Sequence, residues 1–174
     1  MRNLIIFVGV VLFFASCGGR RTAIQAPATC DVGVVINGVC WATRNVDTPG
    51  TFVKKSSDAG GIFTRYEAQD ACPRGWRLPT REELQSLNAV GGEWTSVNGV
   101  NGHTFGTVPN QLFLPAAGLR NPAGVRTVVG NNGLYWSSSA RDADYGWMLW
   151  FNSSRSSVGA INRNSSLSVR CVLE

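Results

Sequence analysis

The sequence predicts an α+β fold for most of the chain. Two segments with helical apolar spacing follow a short hairpin pattern, and strand-like segments separated by polar turns fill the C-terminal third. Helices and strands grouped in separate runs, without regular alternation, are typical of an antiparallel sheet with segregated helices. Twenty glycines and six tryptophans favour turns and aromatic-filled strands over a helical bundle.

The first predicted element is a β-hairpin at residues 34–39. Two short apolar runs surround Asn37-Gly38, the dipeptide most typical of a two-residue hairpin turn. Cys30 and Cys40 flank this segment. A hairpin brings its two ends together, so these cysteines are expected to lie side by side.

Two helices are predicted next. Residues 64–72 have helical spacing, and a second helix begins at Thr80. Glu83, three residues after Thr80, completes a capping box. Leu84 and Leu87 give the second helix one apolar stripe.

Beyond the helices, the sequence predicts long loops and then strands. Residues 91–110 are rich in Gly, Asn, Ser and Thr and lose all periodicity, which predicts a long irregular loop, and residues 121–132 predict a second one. Residues 146–151 alternate two apolar faces, as in a central strand covered on both sides. The predicted strands lie at 112–120, 134–139, 146–151, 157–161 and 167–173.

The N-terminus has the pattern of an export signal. Arg2 precedes an apolar run at 4–14, which is shorter than the about 20 residues that a membrane-spanning helix needs. Small residues precede Cys17 and Gly18 follows it, an arrangement that resembles the bacterial lipobox. The resemblance implies cleavage before Cys17 and acylation of that residue. An ordinary secretory signal with an incidental cysteine is the alternative.

These features divide the chain into three parts. We expect a lipoprotein signal peptide at 1–16, a lipid-anchored flexible tether at 17–29 and a folded domain at 30–174. Two acyl chains hold a protein firmly to a bilayer, at about 0.8 kcal/mol per buried methylene. The expected location is the bacterial cell envelope, as an outer-membrane lipoprotein on the periplasmic face or the cell surface. The formal charge of +5 comes without a lysine-rich stripe, so no nucleic-acid partner is expected.

The remaining four cysteines predict two disulfides. An even number in an exported chain indicates a disulfide framework with three possible connectivities. The hairpin favours Cys30–Cys40, which leaves Cys72–Cys171 to close most of the domain. A metal site is the weaker alternative, because the sequence has no Cys-x-x-Cys and one histidine.

Five segments carry a family signature in a fixed order. They are VINGVCWATRNVDTPG (35–50), CPRGWRLPTREELQSL (72–87), FLPAAGLR (113–120), YWSSS (135–139) and SVRCV (168–172). Together they resemble the Fibrobacter succinogenes major paralogous domain family, over about residues 31–174. The resemblance implies an exported protein, often a lipoprotein, of largely undefined biochemical function.

Two of these segments also resemble a wider group of proteins. GWRLPT-x-x-E at 75–83 and the terminal RCV at 170–172 look like parts of the C-type-lectin-like fold. That superfold includes the formylglycine-generating enzymes and the C-terminal domain of a Legionella collagen-like adhesin. The resemblance implies two helices, a twisted antiparallel sheet and long irregular loops, with Cys72 bonded to Cys171. Fold alone does not give function.

Signatures of catalysis are missing from the sequence. The four remaining cysteines are assigned to disulfides, and neither a Gly-x-Ser-x-Gly motif nor a phosphate loop occurs. Val108-Pro109-Asn110 lacks the carboxylate of calcium-dependent lectin loops. We therefore expect no catalytic residue, no metal and no cofactor.

The leading functional hypothesis is a noncatalytic binding or adhesion module on a lipid tether, with a glycan or a surface protein as ligand. Irregular loops on a rigid scaffold often carry recognition. Trp94 is the candidate aromatic platform, and the alternative is that it anchors its loop to the core. The alternatives are a structural subunit of a surface appendage or complex and an enzyme acting on envelope or extracellular polymers. The candidate ligand-binding residues are Trp94, Asn101, His103, Arg126 and Asn131.

Overall fold

The computed structural model describes Cys30 and residues 33–174 and shows a mostly β protein. Strands make up 45% of the described part and helices 9%. The predicted α+β class is therefore wrong, and the arrangement is not clearly C-type-lectin-like. The two helices are too short to form a layer, and the strands form four small sheets instead of one twisted sheet.

The described residues contain twelve strands and two helices. Among these helices, none has the length and apolar character needed to cross a membrane. The predicted signal peptide, Cys17 and the tether lie outside the described residues. The elements are β1 (Gly33–Ile36), β2 (Val39–Ala42), α1 (Arg65–Ala68), β3 (Trp76–Arg77), α2 (Arg81–Ala89), β4 (Gly92–Val97), β5 (Val100–Thr107), β6 (Asn110–Pro115), β7 (Leu119–Arg120), β8 (Arg126–Thr127), β9 (Gly133–Ala140), β10 (Tyr145–Phe151), β11 (Ser156–Asn162) and β12 (Val172–Leu173).

The first sheet joins the two ends of the domain, in the order β1-β2-β12-β3. The predicted hairpin is confirmed: β1 and β2 pair around Asn37 and Gly38, whose φ angles of 49° and 77° are those that an Asn-Gly turn supplies. Val172 pairs with Trp41 on one side and with Arg77 on the other. The C-terminal strand thus closes onto the N-terminal hairpin.

The segment predicted as an irregular loop at 91–110 is instead most of an antiparallel sheet, in the order β4-β5-β6. β4 pairs with β5 along its whole length, from Gly92 opposite Phe105 to Val97 opposite Val100. They turn at Asn98-Gly99, where both residues have positive φ. The polar residues that obscured the periodicity therefore build a second Asn-Gly hairpin. The second predicted loop, 121–132, contains the short strand β8, which pairs with β7.

The third sheet has the order β11-β10-β9, and the prediction of a central strand at 146–151 is confirmed. Side chains on successive residues of β10 point to opposite faces. One face, with Leu149 and Phe151, packs in a core cluster with α2. The other face, with Met148, belongs to a second cluster that includes Trp136.

Both helices begin with capping boxes. The box predicted for α2 is confirmed, because Thr80 accepts from the Glu83 amide and Glu83 accepts from the Thr80 amide. Thr64 and Glu67 form the same arrangement in α1. Each box satisfies amides that have no partner within the first turn of a helix.

The two predicted disulfides are confirmed. Cys30 bonds to Cys40 with their Cα atoms 5.8 Å apart, across the hairpin. Cys72 bonds to Cys171 at a Cα separation of 6.0 Å, and this bridge spans 99 residues of sequence. The longer bridge ties the segment after α1 to the C-terminal end of the chain.

Candidate functional site

Two of the predicted ligand-binding residues face the core. Trp94 and His103 lie opposite each other on β4 and β5, and the half-buried indole packs against the core cluster on the α2 side. His103 is 7% exposed, and its ring lies 4.5 Å from that of Phe105 between centroids. Burial lowers the pKa of His103, against a smaller opposing effect of its hydrogen bond with the Thr104 carbonyl. His103 is therefore a core side chain, whereas Trp94 keeps part of its indole exposed.

The other three predicted residues are exposed and close together. Asn101 donates to the Gly130 carbonyl at 3.1 Å, next to Asn131. Arg126 donates to the Ala117 carbonyl at 3.3 Å. The Ala116 amide donates to the Asn101 carbonyl, and the Gly130 amide donates to the Ala116 carbonyl. These backbone hydrogen bonds connect the segments that carry the three residues. The structure therefore brings Asn101, Arg126 and Asn131 to one surface.

A more complete candidate site opens beside the edge strand β11. It is an open pocket of about 270 Å³ on the face of the third sheet that lies opposite α2. Its lining combines an indole, a thioether, a guanidinium and small residues. The lining residues are Met148, Trp150, Arg155, Ser157 and Gly159.

The β10–β11 turn places the arginine over the indole. The side-chain oxygen of Asn152 accepts from the amides of Ser154 and Arg155, at 2.8 and 3.0 Å, and so fixes the turn. The guanidinium carbon of Arg155 lies 5.0 Å from the centroid of the Trp150 ring. This is within the range of a cation–π interaction, which orients both groups at the pocket.

Small residues keep this pocket open. On β11, Ser157 lies opposite Trp150, and Gly159 lies opposite Met148. A Cβ atom at Gly159 would approach the Met148 methyl to 3.7 Å, so the glycine leaves the thioether uncovered. The pocket floor is therefore apolar, and its rim carries a hydroxyl and a guanidinium.

The pocket is linked to the predicted loop 121–132. With the Asn132 amide oriented so that its oxygen faces the indole, Trp150 Nε1 donates to it at 2.9 Å. Asn131, a predicted site residue, is its neighbour in the chain. Val128 packs in the same cluster as Trp150. Residues 128–132 thus support the indole from the side.

Sequence reasoning missed this pocket because Trp150 lies in an apolar strand, where a tryptophan is usually part of the core. The informative signal was the small pair Ser157 and Gly159, which only the strand register places beside Trp150 and Met148. Within the described residues, no group of three or more His, Cys, Asp or Glu is placed to hold a metal ion.

The fold and this pocket define a small, disulfide-bonded, mostly β domain with an open surface site. The chain belongs to the Lcl C-terminal domain family, whose model matches residues 35–173. This match does not confirm the narrower Fibrobacter family. No curated protein matches the chain.

Proposed function

We propose that this protein is a noncatalytic binding or adhesion module whose ligand is a glycan. The observation that carries the proposal is the open pocket in which Arg155 lies over the half-buried Trp150 ring. Sugar rings present C–H faces that stack on aromatic rings, and hydroxyls that accept hydrogen bonds from guanidinium groups. The Trp150 pocket offers both kinds of contact in one place.

The composition of the lining supports binding without chemistry. The pocket lining contains no carboxylate, imidazole, thiol or amine, the side-chain groups that most often transfer protons in catalysis. General acid–base catalysis needs a group whose pKa lies near the working pH. The lining residues supply none, which favours recognition.

Assembly into a surface structure is the second candidate. In the antiparallel ladder, β11 pairs only with β10, and within the described residues its one other backbone hydrogen bond is the local turn from the Ser165 amide to the Asn162 carbonyl. An open edge of seven residues can accept a strand from another protein. A surface protein as ligand would use the same edge.

We further propose that the domain is held at the bacterial outer membrane through acylated Cys17, on the periplasmic face or the cell surface. Its narrower relationship to the Fibrobacter major paralogous domain family rests on the five ordered segments. Cells labelled with a fatty-acid analogue should label the chain, and Cys17→Ser should abolish the label. Label retained by Cys17→Ser would contradict acylation at this residue.

The glycan proposal is tested with two matched tryptophans of β10. Trp147 and Trp150 point to opposite faces, and each lies under an arginine, with Arg81 4.0 Å from the Trp147 ring centroid. Glycan-array binding of the full chain, purified in detergent, identifies ligands. Trp150→Ala should weaken binding of a positive glycan about fivefold or more, since one stacking contact on an aromatic ring contributes about 1–3 kcal/mol, the range found for bases.

Trp147→Ala is the control, since it removes a comparable ring from the same strand and should retain affinity. Melting temperatures of both variants show whether each remains folded. Equal affinity in wild type and Trp150→Ala would overturn the assignment of the site. Binding of an extended peptide without any glycan would favour the assembly candidate.

A further inference from the structure

A second pocket, of about 260 Å³, lies at the other end of the same sheet face. A Cβ atom at Gly146 would meet both Arg65 and Trp136, so this pocket and Met148 are on one side of β10. Two arginines contribute to the pocket. The lining residues are Arg65, Tyr66, Gln69, Ser138, Ala140 and Arg163.

Arg65 is held in place as a buried cation. It is 4% exposed, and its Nη2 donates to the Ser138 carbonyl. Its Nε is buried without a hydrogen-bond partner among the described residues. The missing side chain of Gly146 makes room for it, because a Cβ there would lie 3.0 Å from Arg65 Cδ. Burial, and secondarily the charge of Arg163, lowers the pKa of Arg65.

Arg163 brings a second positive charge to the same place. The Arg65 amide donates to the Arg163 carbonyl at 3.0 Å, which holds the two residues side by side. Arg163 Nε donates to the Tyr145 carbonyl at 3.4 Å, and its terminal nitrogens have no partner in the described part of the chain. They are therefore free to donate to a ligand.

No internal carboxylate neutralises this pair. Within the described residues, no Asp or Glu oxygen lies within 4.0 Å of either guanidinium. Asp142 is close enough for Arg163 to contribute to its lowered pKa, but backbone donation from Asp144 is the larger cause. Neutral oxygens of Ser138 and of the suitably oriented Gln69 amide accept from Arg65, but they do not offset the repulsion between the two arginines, which a bound anion would reduce.

We propose that the pocket between Arg65 and Arg163 binds a single anionic group, a carboxylate or a phosphate, carried by a small ligand. Guanidinium groups form paired, charge-assisted hydrogen bonds with both of these groups. Tyr66 lines the pocket and is 62% exposed, so its ring can contact the part of the ligand that carries the anion. The proposal does not depend on a ligand in the Trp150 pocket.

The test measures affinity of the full chain, purified in detergent, by calorimetry at constant ionic strength. The probes are sodium glucuronate, sodium phosphate and, as the neutral counterpart, glucose. Glucuronate or phosphate should bind and glucose should not. Binding of glucuronate alone identifies a carboxylate, and binding of phosphate alone identifies a phosphate. No binding of either anion, or equal binding of glucose, would overturn the proposal.

Two variants and a control tie the binding to this pocket. Arg163→Gln should weaken anion binding about tenfold or more, because it removes charge-assisted hydrogen bonds. Arg74→Gln removes the same charge from an exposed residue outside the pocket and should bind as wild type. Ala140→Asp places a carboxylate in the pocket from an exposed position and should abolish anion binding while the melting temperature holds. Unchanged affinity in the folded Arg163→Gln and Ala140→Asp variants would contradict the assignment.

Discussion

Arg170 Nε donates a buried hydrogen bond of 2.9 Å to Oδ1 of Asn45, 125 residues earlier in the chain. Arg170 is 1% exposed, and it also donates to the Ala42 carbonyl at 2.9 Å. No carboxylate of the described residues lies within 4.0 Å of it, and burial lowers its pKa to about 10. Neutral oxygens alone therefore solvate this cation, and they join the C-terminal segment to the chain after β2.

Removing the Asn45 amide should destabilise the fold strongly. Asn45→Ala leaves Arg170 Nε buried without its acceptor, and it also removes donation to the Tyr135 hydroxyl. We expect a loss of about 2–4 kcal/mol in the free energy of unfolding, measured by denaturant titration of tryptophan fluorescence. Asn164→Ala, at an exposed position whose side chain makes no hydrogen bond in the described structure, should cost less than about 0.5 kcal/mol. Equal losses in the two variants would show that Asn45 does not support Arg170.

Sequence patterns located the local elements well. The Asn37-Gly38 hairpin, the Thr80–Glu83 capping box and the central strand at 146–151 all depend on neighbouring residues, and the structure has all three. The disulfide between Cys72 and Cys171 could be predicted only after the other two cysteines had been paired across the hairpin. Such features follow from turn chemistry, capping and alternation.

The fold class and the site depended on long-range pairing, which sequence patterns do not show. Residues 91–110 had the composition of a loop, yet Asn98-Gly99 turns them into two fully paired strands. That pairing buries His103 and packs one side of Trp94 against the core cluster. The Trp150 pocket in turn exists because β11 places Ser157 and Gly159 beside β10. Register between distant strands decided each of these outcomes.

Folding stability should fall on mild acidification because of His103. Burial lowers its pKa from the ordinary 6.5, so the unfolded chain binds a proton more readily than the folded one. The stability gained by keeping His103 neutral is fully present above pH 6.5. It decreases as the pH falls from 6.5 toward the lower pKa that His103 has in the folded state. Melting temperatures recorded between about pH 8 and pH 5 should show the decrease.

His103→Phe is the variant that isolates this effect. The aromatic replacement keeps contacts with the neighbouring Phe105 and Phe151 rings but cannot be protonated. Its melting temperature should depend less on pH over the same interval, whatever its absolute value. A pH dependence identical to that of the wild type would assign the effect to another group.

The Arg77–Glu83 pair should stabilise the start of α2. Arg77 donates to both oxygens of Glu83, at 2.8 and 2.7 Å, and these bonds are the main cause of the lowered pKa of Glu83. Stability from this carboxylate is present above pH 4.5 and is lost as the pH falls through its folded pKa. Because Arg77 is 41% exposed, solvent screening limits the effect of Glu83→Gln to about 1–2 kcal/mol at neutral pH.

Glu67→Gln provides the matched control for Glu83→Gln. Glu67 occupies the same position in the capping box of α1, but it is exposed and no arginine lies within 4.0 Å in the described structure. Its loss should cost less than about 1 kcal/mol. Urea titrations of both variants at pH 7 and pH 4 make the comparison. A larger cost for Glu67→Gln would contradict the role given to Arg77.

The two disulfides should differ in their contribution to stability. In the chain-entropy account, a bridge stabilises by restricting the unfolded chain, and the restriction grows with the length of the closed loop. Cys72–Cys171 spans 99 residues and Cys30–Cys40 spans 10, which correspond to about 5 and about 3 kcal/mol. Replacing Cys72 and Cys171 by Ala should therefore lower the free energy of unfolding by about 2 kcal/mol more than replacing Cys30 and Cys40. Buried Cys171 also loses packing, which increases the difference further.

Denaturant unfolding of the two double variants and of the wild type, under reducing and non-reducing conditions, measures the stability that each disulfide contributes. A hairpin variant that proved the less stable of the two would show that local strand pairing at β1 and β2 outweighs loop length.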